Sequence, residues 1–107
     1  MHSISAGIDG YISKERFRNS DIPLSNAKGA YSDVLGEFIA LGVLYHTKHV
    51  ERFVQRKQQK KWDIEPVELV SNKHIAFIGY GDIGYSCAKV AKHGFAMKVT
   101  GVKRNPS

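Results

Sequence analysis

The stretch that decides the fold is His74-Ile75-Ala76-Phe77-Ile78-Gly79-Tyr80-Gly81-Asp82-Ile83-Gly84. Its first five residues form a short apolar run of the kind found in buried parallel strands. The six residues that follow fit the pattern G-x-G-x-x-G, and residues 82–93 then carry apolar side chains at helical spacing. A second strand is predicted at residues 97–102. The pattern therefore predicts one β-α-β unit of the α/β class, which requires a parallel sheet.

The glycine pattern predicts a site for the diphosphate of a dinucleotide. Gly79 permits the tight turn, Gly81 lets the backbone approach a pyrophosphate, and Gly84 lets the helix pack near the strand. The N–H groups of Asp82 and Ile83 lack helical partners and lie at the positive end of the helix dipole, so they can bind phosphate oxygens. A glycine turn in an unrelated α/β protein is the alternative. The predicted cofactor-binding residues of this partial Rossmann-type unit are Gly79, Tyr80, Gly81, Asp82, Ile83 and Gly84.

The end of the second predicted strand indicates which dinucleotide is bound. Enzymes that use NAD place an acidic residue there to hold the ribose 2′-OH, whereas a basic residue accommodates the 2′-phosphate of NADP. This chain has Lys103 and Arg104 at that point and no acid. We therefore predict that both residues bind the cofactor and that NADP is preferred, with NAD possible. The alternative is that Lys103 and Arg104 form a basic turn that is exposed to solvent and binds no cofactor. The carboxylate of Asp82 is favourable at a helix start but would repel a phosphate, so we expect a plain helix-start role with the side chain pointing away from the phosphates.

A long helical region is predicted between Ser32 and Lys61, with Ser32 or Asp33 as its cap. Apolar residues cover most of its circumference over residues 34–45, which predicts burial in a larger body or against a partner. Beyond Tyr45 the apolar residues keep to one face and bases take the other. The helix is therefore expected to turn there and reach the surface.

Charge and composition restrict the class of protein. The net charge is +6, and residues 48–61 contain six bases but a single acid, so the excess is local. We interpret this stretch as a solvated helix face and predict no nucleic-acid partner, although a basic nucleic-acid module remains a distant alternative. Cys87 is alone and is expected in the core. His46 and His49 lack further ligands, so no metal site is predicted. With no membrane-spanning run and no secretory signal, the predicted location is cytoplasmic.

Several segments, taken in order, resemble the D-isomer-specific 2-hydroxyacid dehydrogenase family, including its glyoxylate and hydroxypyruvate reductases. Residues 5–9 (SAGID) are similar to the family's SAGVD segment, and residues 22–29 (IPLSNAKG) to its IPLTNARG segment. A helix with Glu37 near its start follows, then Trp62 before the nucleotide domain. The strand, fingerprint and second strand match at residues 77–84 and 96–99.

The resemblance implies a division of the chain into three parts. Residues 1–31, with short strands, would end the substrate-binding domain, and residues 32–66 would be interdomain and dimerisation helices. Residues 67–107 would begin the NAD(P)-binding domain. It further implies a homodimer that associates through the region Val34–Tyr45.

The family's reaction is hydride transfer between a nicotinamide and the hydroxyl-bearing carbon of a small 2-hydroxy acid. Its catalytic Arg, Glu and His lie beyond the second strand of the nucleotide domain, so no catalytic residue is predicted in this chain. We expect the chain to be inactive by itself. The alternative is a non-catalytic protein that binds nucleotide and associates with a full-length relative.

Overall fold

The structure, a computed structural model, describes residues 1–105. Pro106 and Ser107, the end of the third predicted part, lie outside the described residues. Within residues 1–105 the elements are α1 (Asp9–Ile12), α2 (Glu15–Arg18), α3 (Ser32–Thr47), α4 (Val50–Gln58), β1 (His74–Ile78), α5 (Asp82–Lys89), a π-helical turn (Val90–Gly94) and β2 (Lys98–Val102). In this part of the chain no helix is long and apolar enough to cross a bilayer.

The predicted β-α-β unit is confirmed. β1 and β2 pair in parallel, with His74 opposite Lys98 and Ile78 opposite Val102. One face of this sheet is covered, because Ile75 and Phe77 pack against the buried core. The alternate residues of β1, at positions 74, 76 and 78, are exposed on the other face. Successive side chains of β1 therefore alternate between a packed face of the sheet and an open one.

The core lies between the covered sheet face, α3 and the π-helical turn. Val70, Ala91 and Met97 are its buried centre, and Val43 and Leu44 of α3 pack against it. Cys87 is also buried, at 2% exposure, which confirms its predicted place in the core. Burial raises the pKa of the Cys87 thiol.

A glycine allows α3 to lie close to the crossover. Gly36 is buried, and a Cβ atom placed there would lie 3.0 Å from Cγ2 of Val90 in the π-helical turn. Since a side chain at position 36 would push the two elements apart, the close packing of α3 depends on this residue.

Within the described residues α3 is covered on one side only, and its predicted burial in a larger body or against a partner stays a prediction. Leu35, Ile39, Val43 and Leu44 are half-buried, but an outer stripe stays exposed: Val34 (50%), Phe38 (64%), Leu41 (59%) and Tyr45 (43%). The radius of gyration is 19.7 Å, against about 13 Å for a compact domain of this length. In so elongated a chain the sheet and crossover cover only one side of α3.

The predicted turn of the long helix is confirmed, and it falls at one residue. His49 adopts a left-handed conformation (φ 52°), which ends α3 and starts α4 in a new direction. The predicted cap is wrong: Tyr31 is the N-cap residue of α3, and no side chain caps it. Ser32 is already the first residue of the helix, and its hydroxyl donates a hydrogen bond to a carboxylate elsewhere in the chain.

Part of the positive charge of residues 48–61 is neutralised by the segment that follows α4. Arg52 and Arg56 both form ion pairs with Glu65. The ammonium of Lys48 donates a hydrogen bond to the backbone carbonyl of Glu68, which holds the side chain without neutralising its charge. Desolvation raises the pKa of Glu65, but the hydrogen bond from Arg52 and the nearby positive charges outweigh it, so the pKa lies below its ordinary value.

The short strands expected in the first part are represented by an isolated parallel bridge between His2 and Ser25. The N–H of Ser3 donates to Ser25 O at 2.8 Å, and the N–H of Ser25 donates to Met1 O at 3.0 Å. Pro23 has no N–H, and no third extended segment pairs with these two within residues 1–105. The two segments therefore pair through a single bridge and do not extend into a sheet.

The packing at Gly36 predicts different costs for the same substitution at two glycines of α3. Gly36→Leu should lower the free energy of unfolding by about 1–3 kcal/mol through overpacking against Val90. Gly42→Leu is the matched control, since a Cβ atom at Gly42 meets nothing within 4 Å. Urea denaturation followed by circular dichroism measures both, and equal midpoints for the two variants would contradict the packing argument.

Candidate dinucleotide-binding site

The turn that leaves β1 is shaped by Gly79. Its φ of 97° lies in the left-handed region, which a residue with a side chain rarely adopts. The N–H groups of Gly79 and Tyr80 both donate to the carbonyl of Val102, at 3.0 Å each. The turn is therefore tied to the end of β2, and the carboxyl ends of the two strands meet at the same place.

The other two glycines of the pattern meet different constraints. A Cβ atom on Gly84 would lie 2.3 Å from the carbonyl oxygen of Gly79, so only glycine fits where α5 passes the turn. A Cβ atom on Gly81 would meet nothing within 4 Å. Gly84 is thus required by packing inside the chain, whereas the space beside Gly81 is open to a ligand.

The start of α5 presents a row of unsatisfied donors. Within residues 1–105 the N–H groups of Gly81, Asp82, Ile83 and Gly84 have no backbone acceptor, and the first bonded amide is that of Tyr85, which donates to Gly81 O at 2.9 Å. No side chain caps the helix. Consecutive free amides at a helix N-terminus favour an anion, because they combine with the positive end of the helix dipole.

Tyr80 lies between the glycines and covers β2. A Cβ atom on Gly101 would lie 2.3 Å from Cδ2 of the Tyr80 ring, so the ring rests directly on the backbone of that strand. It also meets the Tyr85 ring edge-on, with centroids 6.1 Å apart. The need for glycine at position 101 was not predicted, because nothing in the local pattern signals it.

A cleft of about 690 Å³ runs beside the helix start, and the structure brings several of the predicted residues to it. Tyr80, Gly81, Asp82 and Lys103 line it. Arg104 is exposed and does not line it. Lys28 of the first part lines the same cleft and was missed by sequence reasoning, since it precedes the glycine pattern by some fifty residues and belongs to no charged cluster.

A second cavity of similar volume, about 700 Å³, separates the first part of the chain from the glycine turn. Residues 5–7 and 27–29 line one side, and Gly79 with residues 81–84 lines the other. The two segments of the first part are held together by Asn26, whose side-chain amide donates to Ala6 O at 2.7 Å. The start of α5 therefore faces cavities on two sides.

Asp82 makes the side-chain contact that joins α3 to the glycine turn. Its Oδ2 accepts a hydrogen bond from the Ser32 hydroxyl at 2.7 Å, and Ser32 is buried. The carboxylate is thus held on the α3 side of the helix start. Within the described residues, no group of three His, Cys, Asp or Glu side chains could hold a metal ion.

Comparison with known proteins identifies this arrangement. The family model of the D-isomer specific 2-hydroxyacid dehydrogenase NAD binding domain matches residues 40–107. No curated protein gives a significant match.

Solved structures match over nearly the whole chain. A D-isomer specific 2-hydroxyacid dehydrogenase family protein from Aeromonas salmonicida subsp. salmonicida A449 is 27% identical, with a TM-score of 0.82 over 96% of this chain and 32% of its own. A D-isomer specific 2-hydroxyacid dehydrogenase from Xanthobacter autotrophicus Py2, solved in complex with NADPH and MES, is 20% identical, with a TM-score of 0.82 over 99% of this chain and 33% of its own.

A glycerate dehydrogenase related protein from Thermoplasma acidophilum is 28% identical, with a TM-score of 0.69 over 80% of this chain and 32% of its own. The chain thus spans about a third of the length of these structures. The family model, which covers well over half of the chain, establishes the relationship. The chain belongs to the D-isomer specific 2-hydroxyacid dehydrogenase family, and residues 40–107 are part of that family's NAD binding domain.

Proposed function

We propose that the chain holds the diphosphate of a nicotinamide dinucleotide at the start of α5, as part of an oxidoreductase that acts on a small 2-hydroxy acid. The observation that carries this proposal is the row of free amides at residues 81–84. Gly81 leaves space for phosphate oxygens to approach them, and the adjoining cleft of about 690 Å³ is within the usual size range of cofactor sites.

We propose NADP as the preferred cofactor, with NAD as the alternative. Lys103 lines the cleft directly after β2, and no acidic residue follows that strand to bind a ribose 2′-OH. Arg104 is the next residue, and its long side chain is proposed as a second ligand of the 2′-phosphate. Lys28 adds a third positive charge near the site, from the first part of the chain. The structure from Xanthobacter autotrophicus Py2 holds NADPH, which is in line with this preference.

The proposed reaction is that of the family: the bound nicotinamide would exchange a hydride with the hydroxyl-bearing carbon of a small 2-oxo or 2-hydroxy acid. We assign residues 1–31 to the substrate-binding domain and residues 32–66 to interdomain and dimerisation helices, of which residues 40–66 lie within the matched NAD binding domain, and residues 67–107 to the β-α-β part of that domain. No catalytic residue is assigned in this chain. We therefore expect the 107-residue chain, proposed to be cytoplasmic, to bind NADP without turning over a 2-oxo acid.

We further propose that the chain forms a homodimer through the region Val34–Tyr45. The outer stripe of α3 exposes apolar side chains at intervals of three and four residues, which line up along one side of a helix. A second copy of the chain or a full-length relative could cover it. Association with a full-length relative would make the chain a non-catalytic nucleotide-binding partner, which is the second candidate function.

Closing the space beside Gly81 should weaken nucleotide binding. Gly81→Val places a branched side chain where the diphosphate would lie, so the dissociation constant for NADPH should rise at least about tenfold, since displaced charge-assisted hydrogen bonds contribute about 1.5–3 kcal/mol each. Gly42→Val is the matched control, because its side chain also meets open space but lies on α3. Titration calorimetry measures both, and equal affinity of the two variants would refute the amide site.

Reversing the charge after β2 should reverse the choice of cofactor. The double substitution Lys103→Glu with Arg104→Asp removes the cations proposed to bind the 2′-phosphate and supplies carboxylates for a 2′-OH. The ratio of NADPH to NADH affinity should fall about tenfold or more. Lys14→Glu, an exposed charge reversal between α1 and α2, serves as the control. An unchanged ratio would show that this turn is merely solvated.

A charge in the outer stripe of α3 should prevent self-association. Phe38→Glu places a carboxylate in the middle of the stripe, so the sedimentation coefficient should shift from that of a dimer to that of the 12.0 kDa monomer. Ile22→Glu is the control, since Ile22 has a similar exposed fraction of 59% but lies outside α3. If the unmodified chain already sediments as a monomer at high concentration, the homodimer proposal is wrong.

A further inference from the structure

The hydrogen bond between Ser32 and Asp82 places a negative charge beside the site proposed for an anion. Asp82 is the first residue of α5, and its backbone N–H is among the free donors of the row at residues 81–84. A carboxylate at this point has two orientations that would disfavour the binding of an anion. It can turn back and accept the free amides of the first turn itself, or it can face the cleft and repel the diphosphate.

The structure shows the carboxylate bonded to α3 and not to these amides, although Asp82 also lines the cleft. Its Oδ2 accepts the Ser32 hydroxyl at 2.7 Å, and no hydrogen bond joins it to an amide of the first turn within the described residues. Ser32 is 7% exposed, so its hydroxyl has little access to water as another partner. A hydrogen bond to a charged group is the stronger kind, and here the donor is buried while Asp82 is exposed.

The position of Ser32 is fixed from two sides. The hydroxyl of the preceding residue, Tyr31, donates to Ile4 O at 2.6 Å and ties the start of α3 to the first part of the chain. One turn further along, Gly36 packs against Val90 of the crossover. The donor therefore lies at a fixed place relative to both the first part and α5.

We propose that Ser32 is a positioning residue for nucleotide binding: its hydroxyl holds the carboxylate of Asp82 on the α3 side of α5, which leaves the amides of residues 81–84 to the diphosphate. This inference rests on the proposed function. It assigns a role in the nucleotide site to a residue of α3, outside the glycine pattern and 50 positions away from its partner.

The test measures NADPH binding to the 107-residue chain by titration calorimetry. Ser32→Ala releases the carboxylate, so the dissociation constant should rise about tenfold, the equivalent of one hydrogen bond to a charged group. Asp82→Asn removes the repulsive charge and should tighten binding. Ser32→Ala combined with Asp82→Asn should bind more tightly than Ser32→Ala alone. Ser20→Ala is the control, since it removes a hydroxyl that bonds to Phe17 O at 3.1 Å, outside the cleft.

A purely structural role for Ser32 predicts the opposite pattern. Asp82→Asn would then weaken binding as Ser32→Ala does, and combining the two would restore nothing; either result would overturn the proposal. Asp82→Asn alone decides the matter if Ser32→Ala does not fold, as judged by circular dichroism. The effect of Ser32→Ala should also shrink as salt is raised, because it is caused by charge repulsion.

The inference and the proposed function fail in different ways. If the unmodified chain binds NADPH and Ser32→Ala binds equally well, the inference is wrong and the proposed function stands. If the folded, unmodified chain does not bind NADPH, the proposed function is wrong and the inference is wrong with it.

Discussion

The approach of α5 to the carbonyl of Gly79 is the contact on which the other features of the site depend. A side chain at Gly84 would lie 2.3 Å from that oxygen, so the helix can start this close to β1 only with glycine there. Because the helix starts at the end of the strand, Gly81 and Asp82 at its start line the same cleft as Lys103, which follows β2. A methyl group at position 84 would displace the helix and with it the whole row of donors, since they belong to one rigid turn.

The fold and the centre of the site could be predicted because consecutive residues determine them. The apolar run at residues 74–78, the glycine pattern at residues 79–84 and the helical spacing after it each fix a local conformation, and their order leaves few topologies. The left-handed Gly79, the close approach at Gly84 and the buried Cys87 agree with the conformations that these patterns predict. The turn of the long helix after Tyr45 was likewise visible in the change of its apolar face.

What could not be predicted depends on contacts between distant parts of the chain. Ser32 has the right residue type for a helix cap, and propensity alone assigns it that role, but it lies inside the first turn of α3 and its hydroxyl donates to the distant carboxylate of Asp82. Lys28 reaches the cleft only because the first part folds against the glycine turn. The apolar circumference of α3 correctly indicated a need for cover, yet the described residues cover only its inner side.

The uninterrupted length of α3 has a mechanical consequence. Its 16 residues span about 24 Å at 1.5 Å per residue. The exposed stripe runs along the helix, and Ser32 lies in its first turn. An α-helix without proline is stiff, so a tilt at one end displaces the other end as well. A protein that binds the exposed stripe and tilts α3 would therefore shift the hydroxyl of Ser32, which holds the carboxylate of Asp82. By thermodynamic reciprocity, nucleotide would then alter the affinity for that protein by the same factor.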